Sequence, residues 1–241
     1  MAREFDNSGS QYLKIDQAVV ASYPLTMACW FNMPTMAHTH GLVWVGDKDS
    51  TYKYQAMYLD AGFVKAHSKY GSSGIATTTS AAAVDEWHHG CAVFTNATLR
   101  AAFLDGGSKG TDTTSVAVPA GFDRTALGVF GDSSPSAFAE GMLAEAAVWN
   151  VALTDAEVAV LAAGYCPLFV RSQNLVAYWP LIRDRDIDIV GGYDLTAYGS
   201  PTIAAHCPIM RPIAPQVIIP HAAAGSNIPV IMQHYKKMRV A

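Results

Sequence analysis

Two pairs of histidine and cysteine residues have the types and spacing that suit metal binding. His38 and His40 stand two residues apart, as do His89 and Cys91. Because side chains alternate between the faces of a strand, each pair would share one face and could offer two ligands to one ion. Neither pair has a third or fourth ligand at a suitable spacing. We therefore expect His89 to be a histidine at the edge of a core, hydrogen-bonded to backbone.

Glu140 and Glu145 are the carboxylates that come nearest to an arrangement for cleaving a glycosidic bond, which needs two carboxyl groups facing one substrate. Five positions separate them, so in a regular strand they would point to opposite faces. The sequence contains no Gly-rich phosphate loop with a lysine. We expect no catalytic residues, and hence a protein that is not an enzyme.

Aromatic residues near Gly- and Ser-rich segments could form a platform for sugar rings, which stack on exposed aromatic side chains beside polar groups. The candidates are Trp44, Tyr52, Tyr54 and Tyr70. Trp44 lies in the apolar run LVWVGD and fits a core position equally well. The other four tryptophans lie in strand-like runs and are expected in the core; they are Trp30, Trp87, Trp149 and Trp179.

Short apolar runs between clusters of Gly, Ser, Asp and Asn are typical of antiparallel sheets. The run YQAMYLDAGFVKAHS predicts a hairpin that turns at residues 60–62, and CAVFTNATLRAAFLDGG predicts another that turns at residues 95–97. One helix is predicted, from Asp155 to Ala163. Thr154 stands immediately before it and Glu157 lies in its first turn, at the capping-box spacing, and Gly164 ends it.

Several of these runs resemble motifs of the concanavalin A-like superfamily, in particular its laminin G-like domains. FAEGMLAEAAVWN followed by LTDAEV resembles the last sheet strand and the helix of that family. Earlier and later matches are FDNSGSQYLKI, LTMACWFNM, EWHHGCAVF with FLDG, and LVAYWPLIRD, so the resemblance spans about residues 5–203. It implies an all-β fold, a two-sheet antiparallel jelly-roll sandwich with one short helix.

The resemblance also implies a candidate cofactor, calcium, which family members often bind at the rim of the sandwich through Asp side chains and loop carbonyls. The matching aspartates are Asp47, Asp49, Asp105 and Asp132. Each is equally suited to forming a turn, because Asp accepts a hydrogen bond from its own backbone two residues on. Glu145 matches the family's structural glutamate, whereas the superfamily's hydrolase pattern, Glu-x-Asp-x-x-Glu, is missing.

The sequence changes character after Cys207, so we predict a sandwich over 1–207 and an extended, Pro-rich C-terminal arm over 208–241. The arm holds five of the 12 prolines, four of the 16 basic residues and none of the 20 acidic ones. Such proline spacing is incompatible with a sandwich strand, and the apolar residues need a surface to cover them. We expect docking on the chain's own sandwich or on a neighbouring subunit through Val217, Ile218, Ile219, Ile228, Val230, Ile231, Tyr235, Lys236, Lys237 and Arg239.

Composition suits one large sandwich domain, with 241 residues of which 51% are hydrophobic. The N-terminal residues lack the build of a signal peptide, and no run is long enough to span a membrane. The four cysteines are scattered and are expected as free thiols. Because the acids lie in the main domain, we expect no nucleic-acid partner.

These observations favour a non-catalytic structural protein of a large assembly, most concretely a bacteriophage virion component of the capsid decoration or appendage kind. It would be made in the host cytoplasm and located in the virion. Its partners would be further copies of itself and capsid or tail proteins. The alternative function is a lectin-like module that binds surface glycans for adhesion, with calcium as a candidate requirement.

Overall fold

Alternating apolar and polar residues fold this chain into two antiparallel β-sheets. The computed structural model describes residues 2–182 and 185–210. The strands are β1 (Ala2–Phe5), β2 (Tyr12–Ile15), β3 (Leu25–Asn32), β4 (His40–Gly46), β5 (Lys53–Asp60), β6 (Phe63–Tyr70), β7 (Ser72–Thr77), β8 (His88–Asn96), β9 (Leu99–Leu104), β10 (Gly107–Asp112), β11 (Arg124–Leu127), β12 (Gly141–Trp149), β13 (Leu175–Trp179), β14 (Thr196–Tyr198) and β15 (Thr202–Ala204). One α-helix, α1 (Asp155–Ala162), precedes a short 3-10 helix (Pro167–Phe169).

The eight-stranded sheet runs in the order β10, β9, β8, β3, β12, β1 and β15, with β13 also paired to β12. The seven-stranded sheet runs in the order β14, β2, β11, β4, β5, β6 and β7. All pairs of named strands are antiparallel, and the predicted all-β sandwich is confirmed.

The hairpin of β5 and β6 shows how alternation builds the core. Met57 and Leu59 pack between the sheets, whereas Ala56 and Tyr58 lie on the outer face of the seven-stranded sheet. Ala61 has a φ of 50° and Gly62 a φ of 81°, so the turn falls at the predicted residues. Side chains from the inner faces of both sheets form one shared core. Burial of each large apolar side chain there contributes about 1.5–3 kcal/mol to the stability of the fold.

The helix has the predicted caps. The side chain of Thr154 accepts from the backbone N–H of Glu157, whose carboxylate accepts from the backbone N–H of Thr154. Gly164 follows the last turn with a φ of 89°, a conformation that favours glycine. Val158 and Leu161 are buried in one cluster with residues of β8, β9 and β12, so the helix covers part of the outer face of the eight-stranded sheet.

A β-bulge interrupts the regular alternation of side chains in β12. Glu145 has a φ of 54°, and the register with β3 shifts between Ala144 and Ala147. Ala146 and Val148 therefore join Leu143 in the core between the sheets, rather than facing the opposite way. The extra residue leaves Glu145 on the outer side with a buried carboxylate.

The first residues of the predicted arm still bond to the sandwich. The backbone N–H of Met210 donates to the carbonyl of Gly164 at 2.7 Å, and the N–H of Cys166 donates to the carbonyl of Met210 at 3.0 Å. Residues 211–241, which contain all the predicted docking side chains, lie outside the described residues.

Candidate ligand-binding site

The outer face of the seven-stranded sheet carries an aromatic cluster formed by neighbouring strands. Trp44 on β4 and Tyr54 and Tyr58 on β5 pack together, and Phe130 covers both tyrosines with ring centroids 5.4 and 5.2 Å away. Trp44 is fully buried and Tyr54 is 4% exposed. The expectation that these two rings form an exposed platform is therefore wrong, because the segment 128–138 folds over them.

A close backbone approach holds this segment against the sheet. The N–H of Gly41 donates to the carbonyl of Ala137 at 2.7 Å, and a Cβ atom at Gly41 would lie 2.7 Å from the carbonyl carbon of Val129. Phe130 and Ser136 exchange two backbone hydrogen bonds, of 2.8 and 3.3 Å. The segment is thus a closed loop whose position requires glycine at residue 41.

The loop forms one wall of a cavity of about 470 Å³, which we call the aromatic cavity. Phe130 and Phe138 are partly exposed there, and the ring of Tyr12 lies 6.0 Å from that of Phe138. Tyr12 also stacks on the exposed Tyr198, with ring centroids 4.8 Å apart and an interplanar angle of 4°. The lining residues are Asn7, His38, Thr39, Phe130, Ser136, Ala137 and Phe138.

His38 and His40 come together beside this cavity, with ring centroids 4.2 Å apart. Both nitrogens of the buried His40 are used: Nε2 donates to the carbonyl of Thr35 at 2.9 Å, and Nδ1 accepts from the backbone N–H of Glu140 at 3.2 Å. Burial, with a smaller contribution from His38, lowers the pKa of His40 to about 4. His40 therefore positions backbone as a neutral ring and has no free nitrogen for a metal.

His38 keeps one ring nitrogen, Nδ1, without a partner among the described residues. Its Nε2 lies 3.4 Å from the side-chain nitrogen of Asn7 and 3.5 Å from a carboxylate oxygen of Glu140. It therefore offers the cavity a polar group that either donates or accepts a hydrogen bond.

The other two predicted platform residues lie outside the lining of the aromatic cavity. Tyr52 is 63% exposed, and the Lys69 ammonium lies 4.8 Å from its ring centroid. Tyr70 is half-buried, with the Lys53 ammonium 5.9 Å from its ring. These rings are accessible, but each already faces a cation.

Two predicted calcium ligands, Asp47 and Asp49, meet a third carboxylate that the sequence did not single out, Asp123. Their ligand oxygens lie within 4.8 Å of one another. The Lys48 ammonium bonds to Asp123 at 2.6 Å and to Asp49 at 2.8 Å, and its pKa is raised by these carboxylates. Burial opposes ionisation of Asp123, but the hydrogen bonds from Lys48 outweigh it and lower the pKa of that carboxyl. The carboxylates are hard oxygen donors that suit calcium, and the ion would have to replace the lysine.

The other two predicted ligands are turn formers. The carboxylate of Asp105 accepts from Nδ1 of His88 at 2.7 Å and from the backbone N–H of His89 at 2.8 Å, which closes the end of β8. Asp132 accepts from the backbone N–H of Ser134 at 2.8 Å, and burial raises its pKa. Neither belongs to the cluster around Asp47.

The two glutamates considered for hydrolysis have different surroundings. Glu145 is 2% exposed, accepts a short hydrogen bond from the Tyr178 hydroxyl and lies 3.1 Å from Nε2 of His206. Glu140 instead lies in the rim beside His38. A carboxylate committed to a buried network is suited to holding the bulge of β12 in place.

Comparison with known proteins agrees with this architecture. The model of the concanavalin A-like lectin/glucanases superfamily, of the laminin G type, matches residues 7–159, more than half of the chain. The chain belongs to this superfamily. No curated protein matches this concanavalin A-like chain in sequence.

Solved structures resemble this concanavalin A-like domain in fold. A putative carbohydrate-binding protein from Bacteroides ovatus has a TM-score of 0.58 at 15% identity, covering 84% of this chain and 61% of its own. A heptameric SAP-like pentraxin from Limulus polyphemus has a TM-score of 0.53 at 16% identity, covering 67% of this chain and 81% of its own. The CBM40 module of a Ruminococcus gnavus sialidase, bound to α2,3-sialyllactose, has a TM-score of 0.50 at 14% identity, covering 59% of this chain and 84% of its own.

Within the described ranges, no helix has the length and apolar character needed to cross a membrane.

Proposed function

We propose that this protein is a glycan-binding module whose site is the aromatic cavity. The observation that carries the proposal is a cavity of about 470 Å³ in which two partly exposed phenylalanine rings lie beside Asn7, His38 and Ser136. Sugars present apolar C–H faces and polar hydroxyl edges, so a site for them needs this combination. The similar structures from Bacteroides ovatus, a putative carbohydrate-binding protein, and from Ruminococcus gnavus, a sialidase CBM40 bound to α2,3-sialyllactose, support this function.

In the proposed complex, Phe138 and Phe130 contact the C–H face of one sugar ring. Asn7 and His38 bond to its hydroxyls, with the side chain of Asn7 donating and accepting through its amide. The proposed function is binding without chemistry. The engagement of Glu145, the glutamate shared with the family pattern, by Tyr178 and His206 supports it.

Calcium is a second ligand that we propose for the rim, at Asp47, Asp49 and Asp123. The single supporting observation is the closeness of the three carboxylates. Since the Lys48 ammonium already neutralises two of them, calcium binding there should be weak and should not be required for the fold.

The role in a virion or another large assembly stays a prediction. It depended on the arm, whose docking side chains lie outside the described residues, and the structures described above are of a pentraxin and of carbohydrate-binding proteins. A glycan-binding module on a larger assembly would satisfy both hypotheses.

A glycan array with and without a calcium chelator tests the proposed function. We expect selective binding to a small set of glycans that Phe138→Ala abolishes and Tyr52→Ala preserves. Tyr52→Ala is the matched control because it removes an exposed aromatic ring outside the cavity. Silence across the array with folded protein, or equal loss in both variants, would contradict the proposal.

A further inference from the structure

A second cavity opens on the outer face of the eight-stranded sheet, at the ends of β1, β3 and β12. In the strand register, Glu4 pairs with Met142 on one side and with Thr202 on the other, and Met142 pairs with Asn32. These four side chains form a row across four strands and line a cavity of about 520 Å³, which we call the acidic cavity. This volume suits a small organic ligand.

The charged side chains of the described residues that line the acidic cavity are all negative. Four carboxylates contribute to it, and among the described residues that line it there is no lysine, arginine or histidine. The carboxylates are those of Glu4, Asp6, Asp85 and Glu140. Like charges that share a concave site concentrate cations, because the surrounding protein focuses the field there.

Asn32 provides an independent sign of a ligand. The residue is 7% exposed and lines the cavity, yet its side-chain amide makes no hydrogen bond within residues 2–182 and 185–210. The amide atoms of Asn32 are not themselves sealed from solvent, so they face the open space of the cavity, where only solvent or a ligand can bond to them. A ligand in the cavity that brings N–H or O–H groups would supply the missing partner.

The spacing of the carboxylates selects the kind of cation. In the described part of the chain, three acidic residues bring ligand oxygens within 4.8 Å of one another only at Asp47, Asp49 and Asp123. The acidic cavity therefore does not gather its carboxylates tightly enough to share one divalent ion. An organic ammonium ion, with three N–H donors and a carbon skeleton, matches separated carboxylates and a carbonyl oxygen of Asn32.

We propose that the acidic cavity binds small organic cations through a primary ammonium group. Glu4, on the strand beside Met142, and Glu140, two residues before Met142, attract the charge, and Asn32 accepts one N–H. Glu4 is held in place by a 3.0 Å hydrogen bond from the hydroxyl of Thr202.

The acidic cavity and the aromatic cavity adjoin at Glu140, whose carboxylate lies 3.5 Å from Nε2 of His38. If the proposed glycan function is correct, one amino sugar could occupy both cavities, with its ring near Phe138 and its amine near Glu140. The ammonium site itself does not depend on that function.

Isothermal titration with three probes separates these possibilities. Spermidine is a free polyamine, the glucosamine trimer is an amino sugar, and the N-acetylglucosamine trimer is its uncharged counterpart. We expect at least one of the two cations to bind with one site per chain, and a Glu4→Gln/Glu140→Gln double variant to bind it about tenfold more weakly. Glu86→Gln is the control, since it removes an exposed carboxylate next to Asp85 that does not line the cavity.

Asn32→Leu adds a readout that a merely structural residue would not give. We expect unchanged or raised thermal stability together with weaker ammonium binding, because the buried amide is replaced by an apolar group of similar size. Loss of stability would mean that the amide supports the fold and would contradict its assignment to a ligand.

The outcomes for the two sites are distinct. Spermidine binding without binding of the uncharged trimer supports the ammonium site and leaves the glycan function without support. Equal binding of both trimers, unaffected by the double variant, overturns the ammonium site and supports the glycan function. Failure of both cations to bind, or an equal loss in Glu86→Gln, also overturns it.

Discussion

The aromatic cavity and the acidic cavity adjoin, yet they are built in different ways. A loop folded over a sheet forms the first, and it presents phenylalanine rings beside polar side chains. The ends of strands form the second, and it presents four carboxylates. One end of a sandwich can therefore hold two adjacent surfaces, one suited to uncharged sugar rings and one suited to cations. The contact between Glu140 and His38 marks the border between them.

Acid is the largest expected perturbation, because the fold holds three buried neutral histidines. His40 lies beside the aromatic cavity and His67 beside Tyr54, whereas His89 lies on the eight-stranded sheet. Burial lowers the pKa of His40, His67 and His89 to about 4, with nearby positive charges adding to the shift for His67. Between pH 6.5 and 4 the unfolded chain binds more protons than the folded one, so stability falls as the pH falls through that window. With three such groups the loss reaches about 4 kcal/mol per pH unit.

Chemical denaturation at a series of pH values measures this effect. His67→Gln should reduce the slope of the unfolding free energy against pH by the equivalent of about one proton, because it removes one buried neutral histidine. In the folded chain His67 lies between Tyr54 and Ser73 on the aromatic face. A stability that stays flat from pH 6.5 to 4 would contradict the assignment of neutral histidines.

The next effect is on glycan binding. Phe138→Ala should weaken an identified glycan ligand at least about tenfold, because it removes the ring that contacts the sugar face. The single Glu4→Gln variant should leave affinity for an uncharged glycan nearly unchanged, because Glu4 lines the acidic cavity and not the aromatic one. Titration calorimetry measures both, and an equal loss in the two variants would erase the distinction between the cavities.

Salt provides a smaller test of the same distinction. Raising the salt from low to physiological concentration should weaken ammonium binding several-fold, since screening acts on exposed charges. Binding of an uncharged glycan should change little. An equal loss of affinity for both ligands on addition of salt, in parallel titrations, would contradict the distinction between the two cavities.

The smallest effect concerns calcium at Asp47, Asp49 and Asp123. Lys48→Met should strengthen calcium binding a few-fold, because it removes the ammonium that competes for two of the carboxylates. Asp123→Asn should weaken it. Calorimetric titration with calcium chloride would count against this competition if Lys48→Met bound no more tightly than the natural chain.

Local sequence signals were sufficient for most of the fold. The capping box of Thr154 and Glu157 and the turn at Ala61 and Gly62 depend on neighbouring residues, and both are where the sequence predicts them. The bulge at Glu145 was missed, because one inserted residue changes the facing of a strand without a local marker.

The candidate site depended on contacts that a sequence pattern does not show. Trp44 and Tyr54 lie together on the outer face of the seven-stranded sheet, but whether the segment 128–138 covers them depends on the approach of Gly41 to Val129. Asp123 was missed because it is 75 residues from Lys48 along the chain. Phe130 and Phe138, which flank a Gly- and Ser-rich segment, were the available signal for the cavity.

The most direct test of the glycan site is a titration of the isotopically labelled protein with a bound glycan, followed by amide chemical shifts in NMR spectra. Our account predicts that the largest shifts fall on Asn7, Thr39 and residues 136–138, which line the aromatic cavity. Shifts centred instead on Tyr52 and Tyr70, with these residues unperturbed, would contradict it and place the glycan on the exposed tyrosines.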